Sequence, residues 1–286
     1  MTAATHVHQP YCRQLLLDCD DPIFAGPVFG SLRNKQHLES DESEDAITWS
    51  VFRLLDRHFG NLPWMDGLLR EAGCRIEVHG KPSVSFWVPA DPPESRLLWL
   101  LDHLHDPSIT QSDGAKKYPE RLADLQSNTS YYCRRIRAGE VRGRVPWVLE
   151  GASHVDVILR ASRLAVAVEA KYHSKLEVGS TWDTGRDQIA RVVDAGLAMA
   201  RKDKDVAFLL VTDTRVHRPP KNYESLMKQY RSDSSFPIAR DHLGWLTWGE
   251  IYRWLERQRP HCNPLQVEWI EQLRAYLGAR RLLGAD

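Results

Sequence analysis

The stretch that decides the fold reads HVDVILRASRLAVAVEAKY and covers residues 154–172. It holds two apolar runs, His154–Arg160 and Leu164–Tyr172, each interrupted by charged side chains. Runs of this length and composition predict buried β-strands. Because the connection between them is too short for a crossover, the two strands must pair antiparallel. A further short strand is predicted just upstream, at Trp147–Glu150.

The alternation of side chains along these strands brings three charged residues together. On the second strand Glu169 and Lys171 share a face, since every second side chain points the same way. If Arg160 lies opposite Arg163, Asp156 is diagonal to Glu169 on the same side of the sheet. A slip of one residue would send the aspartate to the opposite face, so this convergence depends on the register.

Two carboxylates and an ammonium group inside apolar strands need a physical explanation. Burying them unpaired would cost several kcal/mol each, and mutual pairing or a bound cation removes much of that cost. We expect Asp156 and Glu169 to bind Mg²⁺, with Mn²⁺ able to substitute, because these hard cations prefer oxygen ligands and retain open positions. Lys171 would orient the attacking water, stabilise the transition state or, with a lowered pKa, accept a proton. The structural alternative is a satisfied ion cluster without a metal.

Asp156, twelve intervening residues and then Glu169-Ala170-Lys171 form an arrangement that resembles the PD-(D/E)XK nuclease superfamily. This superfamily includes restriction endonucleases and nucleases of repair and phage defence. The chain departs from the name motif at Val155, where proline is common. The resemblance implies a metal-dependent hydrolase of phosphodiester bonds, with DNA as the expected substrate and a metal held by Asp156, Glu169 and Ala170. A non-catalytic nucleic-acid-binding or partner-binding module with a nuclease-like core is the alternative.

The segment downstream continues the resemblance. Thr184 is predicted to cap a helix with Asp187 in its first turn, and the helix leads to a parallel strand at 206–212. Gln188 falls where related nucleases place a glutamine that supports the metal site or contacts substrate. The tyrosine of the RecB-like branch is replaced by Val192, so that branch is not assigned.

The fold class expected from this pattern is α/β, with a mixed β-sheet flanked by helices. The resemblance implies an αβββαβ core led by a helix at 44–58, a long insertion over about 61–146, and a Trp-rich C-terminal helical extension. A hairpin is predicted within the insertion, from Arg75–His79 and Ser83–Val88. The domain limits follow, in chain order: an N-terminal arm at 1–43, the leading helix and insertion region at 44–146, the nuclease core at 147–214, and the extension at 215–286.

Three single residues and one basic window are further candidates for the site. Glu44, in the first turn of the leading helix, is either an ordinary N-terminal carboxylate or an additional acid aimed at the site. Glu150 is either a ligand of a second metal or the partner of an arginine. His154 either contacts phosphate or has an ordinary structural role. A basic window predicts contacts to nucleic-acid phosphates, with a solvated surface as its alternative; its arginines are Arg134, Arg135, Arg137, Arg142 and Arg144.

Composition limits the function further. Lys plus Arg and Asp plus Glu each number 38, so a nucleic-acid site must be a local patch rather than a property of the whole molecule. Five cysteines without a C-x-x-C pattern argue against a disulfide framework or zinc cluster. No apolar segment approaches membrane length and no export signal begins the chain. We therefore expect a cytoplasmic protein whose partner is DNA and not a membrane, with a homodimer or protein partners of a defence or repair system as further expectations.

Overall fold

The computed structural model describes residues 15–17, 43–140, 150–174, 176–177, 179–200, 205–213, 223–232 and 236–284. Several sequence-based predictions lie outside these ranges. They are the contacts of Arg142 and Arg144, most of the N-terminal arm, and all of the strand predicted at 147–150 except Glu150.

The described residues form a five-stranded mixed sheet flanked by helices, which confirms the α/β class. The spatial order of the strands equals their order in the chain. The first three pair antiparallel, and the last two continue the sheet in parallel. The strands are β1 (Ser83–Ala90), β2 (Ser153–Ala161), β3 (Leu164–Ala170), β4 (Asp205–Thr212) and β5 (Leu243–Thr247).

Helices cover both faces of this sheet. A group of short helices also follows β1 and precedes β2 in the chain, although these two strands pair with each other. Within the described residues no helix combines the length and the apolar character needed to cross a membrane. The helices are α1 (Glu44–His58), α2 (Trp64–Glu71), α3 (Glu94–Asp102), α4 (Pro107–Thr110), α5 (Asp113–Lys117), α6 (Pro119–Ser127), α7 (Thr129–Arg137), α8 (Gln188–Met199), α9 (Tyr223–Ser232), α10 (Trp248–Gln258) and α11 (Pro264–Ala279).

The β2–β3 hairpin has a register two residues away from the predicted one. Ala161 pairs with Leu164, so Ser162 and Arg163 form the turn, and Val157 lies opposite Val168. This register keeps Ala161 and Leu164 buried and leaves the two turn residues exposed. Because side chains alternate with a period of two, a shift of two residues changes each partner but leaves every side chain on its expected face.

The predicted hairpin at 75–88 is wrong. Only β1 forms from that segment, and it pairs with β2 through contacts such as Phe86 opposite Val157. Residues 75–79 contain no strand, and the backbone N–H of Arg75 instead donates to the carbonyl of Asp241 at 2.7 Å. The helical insert α3–α7 therefore separates the first strand of the sheet from the second, rather than preceding the first.

The C-terminal extension is not wholly helical, because β5 comes from it and completes the sheet beside β4. Trp248, Ile251, Tyr252 and Leu255 have the spacing of an amphipathic helix, and they lie in α10 of the extension predicted to be helical. Its Trp248 indole is fully buried in the larger core, which also receives α1, α2 and α11. The smaller core on the opposite face is formed mainly by α8 and α9.

The helical insert has its own hydrophobic cluster and is bonded to the loop that precedes α8. Trp182 of that loop belongs to the cluster of the insert. The backbone N–H of Gly114 donates to the carbonyl of Thr181 at 2.6 Å, and the N–H of Thr184 donates to the carbonyl of Ser108 at 3.0 Å. The insert therefore fixes the loop from which Gln188 emerges.

Close packing between α2 and α10 depends on a glycine. A Cβ added at Gly67 would lie 2.3 Å from the indole of Trp254, far inside van der Waals contact. We expect Gly67→Ala to lower the free energy of unfolding by about 1–3 kcal/mol, because the core cannot accept the extra methyl without shifting. Urea denaturation followed by tryptophan fluorescence measures this change.

Gly278→Ala in α11 is the matched control, since its added Cβ would meet only Leu283 Cδ1 at an ordinary 3.5 Å. Alanine is also the better helix former, so this variant should be neutral or slightly more stable. Equal effects of the two substitutions would contradict the packing assigned to Gly67.

Candidate active site

Asp156 and Glu169 come together where β2 begins and β3 ends. The last ladder pair at this end is Val157 with Val168, and continuing the register by one residue places Asp156 opposite Glu169. The backbone N–H of Ala170 donates to Asp156 Oδ2 at 2.8 Å. Only 1% of Glu169 is exposed. The two acids therefore face each other directly, rather than diagonally as the predicted register implied.

Lys171 and Glu44 complete a four-residue charged cluster. Lys171 Nζ lies 2.6 Å from Glu169 Oε1 and 3.2 Å from Glu44 Oε1. The other oxygen of Glu44 accepts from the backbone N–H of Tyr172 at 2.8 Å and from the hydroxyl of Ser174. Of the two alternatives for Glu44, these contacts favour the acid aimed at the site. Helix α1 thus holds the lysine and the end of β3 in place.

Gln188 is the first residue of α8, and its side chain supports Glu169. The predicted cap Thr184 is wrong: the N-cap is Asp187, which accepts from the backbone N–H of Ala190, while Thr184 is bonded to the insert. The Gln188 amide nitrogen donates to Glu169 Oε1, and its oxygen accepts from the backbone N–H of Glu177 at 3.1 Å. The amide orientation is therefore determined by both partners.

The second carboxylate oxygen of Glu169 has no hydrogen-bond partner in the part of the chain that the structure describes. Oε1 receives both Lys171 and Gln188, whereas Oε2 is buried and accepts no hydrogen bond from the described residues. A buried acceptor of this kind is rare in folded proteins, because it has lost its water without compensation. The atom is a ready ligand for a cation.

Burial also shifts the ionisation of the cluster. It raises the pKa of the Glu169 carboxyl from 4.5 to about 7. It raises the pKa of Asp156 well above its usual range, and the neighbouring charge of Glu169 raises it further. For Lys171, burial acts to lower the pKa, but Glu169, Glu44 and Asp156 outweigh it and the pKa rises. The expectation of a lysine with a lowered pKa is therefore wrong for the metal-free protein, in which Lys171 is a cation.

The residues present fit a divalent cation of the magnesium type. Two carboxylates that resist ionising together would be relieved by a double positive charge, and Glu169 Oε2 has no competing donor among the described residues. Because the backbone N–H of Ala170 donates to Asp156, the group of Ala170 that could coordinate a metal is its backbone carbonyl. Across the described ranges no group of three or more His, Cys, Asp or Glu is arranged to hold a metal. A pair of acids suits Mg²⁺, which retains several waters, better than it suits zinc.

Glu150 lies in an arginine network rather than in this cluster. It is buried, and it accepts from Arg96 Nε at 2.8 Å and from Arg186 Nη2 at 3.3 Å. Arg96 also donates to Asp183 at 2.7 Å, and Arg186 pairs with Asp194. These contacts favour the arginine-partner alternative for Glu150 over the second-metal alternative.

The remaining candidates lie on the surface. His154 is exposed and sits opposite Pro89 of β1. Arg134 and Arg137 lie in the last turn of α7, and both are exposed. Arg135 donates to the hydroxyl of Tyr131 at 2.7 Å and pairs with Glu140. The described arginines are therefore accessible to a polyanion, as a phosphate-binding segment requires.

Two contributors to the site were missed by sequence reasoning. Trp248 donates its indole N–H to the carbonyl of Lys171 at 3.2 Å and so holds the residue that follows β3. Arg96 connects the insert to the loop before α8, and nothing in its local sequence signals that role. The sequence does carry a signal for Arg191: it follows Gln188 by three residues, so both side chains are expected on the same face of the helix.

Comparison with known proteins yields no relative. No protein-family model matches the chain, and neither the curated proteins nor the solved structures contain a significant match. Functional inference therefore rests on the geometry of the site.

The raised pKa of Glu169 predicts how stability depends on pH without metal. The folded protein binds the proton more tightly than the unfolded chain, so stability falls as pH rises from about 4.5 to about 7 and stays lower above it. Glu169→Gln removes this penalty and preserves the side-chain shape. In EDTA its stability relative to wild type should improve by on the order of 2–3 kcal/mol between pH 5 and pH 8, at about 1.36 kcal/mol per pH unit.

Chemical denaturation at a series of pH values measures the difference. Glu77→Gln is the control, because the Glu77 side chain is 85% exposed and its removal should leave the pH dependence of wild type intact. Parallel curves for Glu169→Gln and wild type would contradict a protonated, metal-free Glu169.

Proposed function

We propose that the protein is a divalent-metal-dependent nuclease of the PD-(D/E)XK type that hydrolyses phosphodiester bonds in DNA. The observation that carries this proposal is the Asp156–Glu169 pair, with a buried oxygen on Glu169 that has no partner among the described residues and the Lys171 ammonium 2.6 Å from its other oxygen. This combination gives a seat for a hard cation beside a fixed positive charge, which suits a reaction at phosphate.

The order of elements supports the same proposal. Helix α1, the antiparallel strands β1, β2 and β3, helix α8 and the parallel strand β4 occur in the order αβββαβ, with α2 inserted before β1 and α3–α7 inserted after it. That is the order implied by the resemblance, with the long insertion placed after the first strand. Asp156 lies within β2, and Glu169 lies within β3, where it pairs with Leu210 of β4, so strands rather than a loop carry both acids.

Each side chain of the cluster has a different role in the proposed reaction. Asp156 and Glu169 would hold Mg²⁺ or Mn²⁺, which when bound supplies a Lewis acid for the phosphate and a more acidic water. Lys171 remains protonated and stabilises the negative charge that accumulates on the phosphoryl group. Gln188 holds Glu169 in its rotamer, and Glu44 holds the ammonium of Lys171 from the opposite side.

Nuclease assays on purified protein test the proposal. Supercoiled plasmid, linear duplex DNA and RNA are incubated with Mg²⁺ or Mn²⁺ and, separately, with EDTA. We expect metal-dependent cleavage of DNA that falls roughly hundredfold or more in Glu169→Gln, which removes a charged metal ligand, and in Lys171→Met, which removes the positive charge proposed to stabilise the phosphoryl group. Glu77→Gln and Lys81→Met are the matched controls, since both residues lie away from the cluster near the solvent-facing turn at Gly80.

The effect of a metal on thermal stability distinguishes a nuclease from the two alternatives, a non-catalytic binding module and a satisfied ion cluster. Mn²⁺ should raise the thermal midpoint of wild type and not that of Glu169→Gln, because ligand binding stabilises only a protein that binds it. Cleavage that persists in both site variants would overturn the proposal. Metal binding and DNA binding without cleavage would favour the non-catalytic module, and no metal effect at all would favour a satisfied ion cluster.

A further inference from the structure

A cleft of about 310 Å³ lies between the segment that leads into β2 and the loop before α8. Its walls are residues 150–153 at the start of β2, the loop Ser180–Trp182 and Arg191 of α8. Asp156 and Glu169 do not line it, so it is a neighbouring space rather than the reaction centre. The volume falls at the lower end of ordinary ligand pockets, roughly 300–1,000 Å³, and suits one nucleotide unit rather than a duplex.

Arg191 connects this cleft to the site. It follows Gln188 by one helical turn, and Gln188 in turn holds Glu169. Arg191 Nη2 lies 2.7 Å from Glu177 Oε2, and the backbone N–H of Glu177 is the donor to Gln188. The positive charge of Arg191 also acts to lower the pKa of Glu169, as a cation close to the carboxylate should. Cleft and reaction centre thus share one helix face.

The guanidinium of Arg191 is paired through Nη2 with the exposed carboxylate of Glu177. Its Nε is buried and donates to no acceptor among the described residues, so a ligand in the cleft would meet the exposed part of the guanidinium rather than this atom. The side chain is 20% exposed, so it is positioned by its surroundings, whereas the side chain of its partner Glu177 is 70% exposed. An exposed carboxylate is a weak partner in water, and a phosphate offers the guanidinium two oxygens in a matching geometry.

The rest of the lining suits a phosphate as well. Hydroxyl groups come from Ser153, Ser180 and Thr181, and Ser180 Oγ accepts from the N–H of Asp183, which leaves its own hydrogen to donate. The carboxylate in the lining belongs to Glu150, which accepts from Arg96 and Arg186 and is therefore already paired. The same two arginines also pair with Asp183 and Asp194, so the cationic group of the described lining that remains for a ligand is Arg191. The cleft therefore presents donors and a cation to an entering anion.

We infer that this cleft binds the phosphodiester next to the one that is cleaved, with Arg191 as the phosphate-binding residue and Glu177 occupying the guanidinium until substrate displaces it. The inference rests on the proposed nuclease function. It makes Glu177 a competitor of the substrate, so the two residues should have opposite effects on DNA binding.

Binding of a short fluorescent DNA in Ca²⁺ and cleavage in Mg²⁺ test the inference together. We expect Arg191→Gln to raise Kd and KM roughly tenfold or more, with a smaller effect on kcat, because the variant cannot form the charge-assisted hydrogen bond to phosphate. In a plot of the logarithm of the association constant against the logarithm of salt concentration, the magnitude of the slope should decrease by about 0.9, the value for one fewer neutralised phosphate of duplex DNA. Glu177→Gln should tighten binding.

Arg163→Gln is the matched control for charge. It lies in the exposed β2–β3 turn, at the opposite end of the hairpin from the acids, and should leave Kd, KM and the salt slope near those of wild type. A scan of short DNAs with one uncharged methylphosphonate each locates the phosphate that Arg191 binds. A methylphosphonate at the phosphate next to the cleaved bond should weaken DNA binding by wild type. The same modification should not weaken binding by Arg191→Gln any further.

The outcomes distinguish this inference from the proposed function. Cleavage that depends on Glu169, together with unchanged Kd and KM in Arg191→Gln, would overturn the cleft assignment and leave the nuclease proposal standing. Equal effects of Arg191→Gln and Arg163→Gln, or weaker binding by Glu177→Gln, would also overturn it. Absence of Glu169-dependent cleavage would overturn the nuclease proposal and this inference with it.

Discussion

The structure depends on two carboxylates placed opposite each other across a pair of antiparallel strands. Asp156 and Glu169 lie where the β2–β3 ladder ends, and burial makes the simultaneous ionisation of both unfavourable. One ammonium group, Lys171, offsets part of that cost and leaves Glu169 Oε2 without a partner among the described residues. The surrounding elements are best understood by how they hold this unfavourable arrangement in place.

Support reaches the cluster from both faces of the sheet. On one face, α1 delivers Glu44 to Lys171, and the indole of Trp248 holds the carbonyl of the same lysine. On the other face, α8 delivers Gln188 to Glu169. Because each contact joins segments far apart in the chain, the cluster forms only when the complete sheet and its helices have assembled. Preorganisation of this kind is what charge stabilisation in a reaction requires.

The helical insert contributes through its contact with the loop before α8. Arg96 of α3 bridges Glu150 and Asp183, and all three side chains are buried. Removing one member of such a network leaves the others as uncompensated buried charges, so the network fixes the insert strongly to the core. The insert thereby positions the start of α8, from which both Gln188 and Arg191 project. The same loop forms one wall of the cleft.

Much of the site could be predicted from the sequence, because local periodicity determines which side chains lie on the same face of a strand. The alternation in β2 and β3 assigned Asp156, Glu169 and Lys171 to one face, and an error of two residues in register left that assignment unchanged. The helix expected at 44–58 and the helix expected after Thr184 were likewise anticipated, and they are α1 and α8. Partner choice was harder: β1 was expected in a local hairpin, β5 was not expected, and Thr184 was taken as the cap in place of Asp187. Each of those outcomes depends on residues distant in the chain.

The sequence by itself determined which side chains alternate inward along each strand, because a period of two or of 3.6 residues is a property of the local backbone. Only the tertiary structure decided which strand lies beside β2, that Glu150 pairs with Arg96, and that Glu44 reaches Lys171. Those choices compare the burial and charge compensation of whole alternative arrangements, and the energies involved arise between segments that are adjacent only after folding.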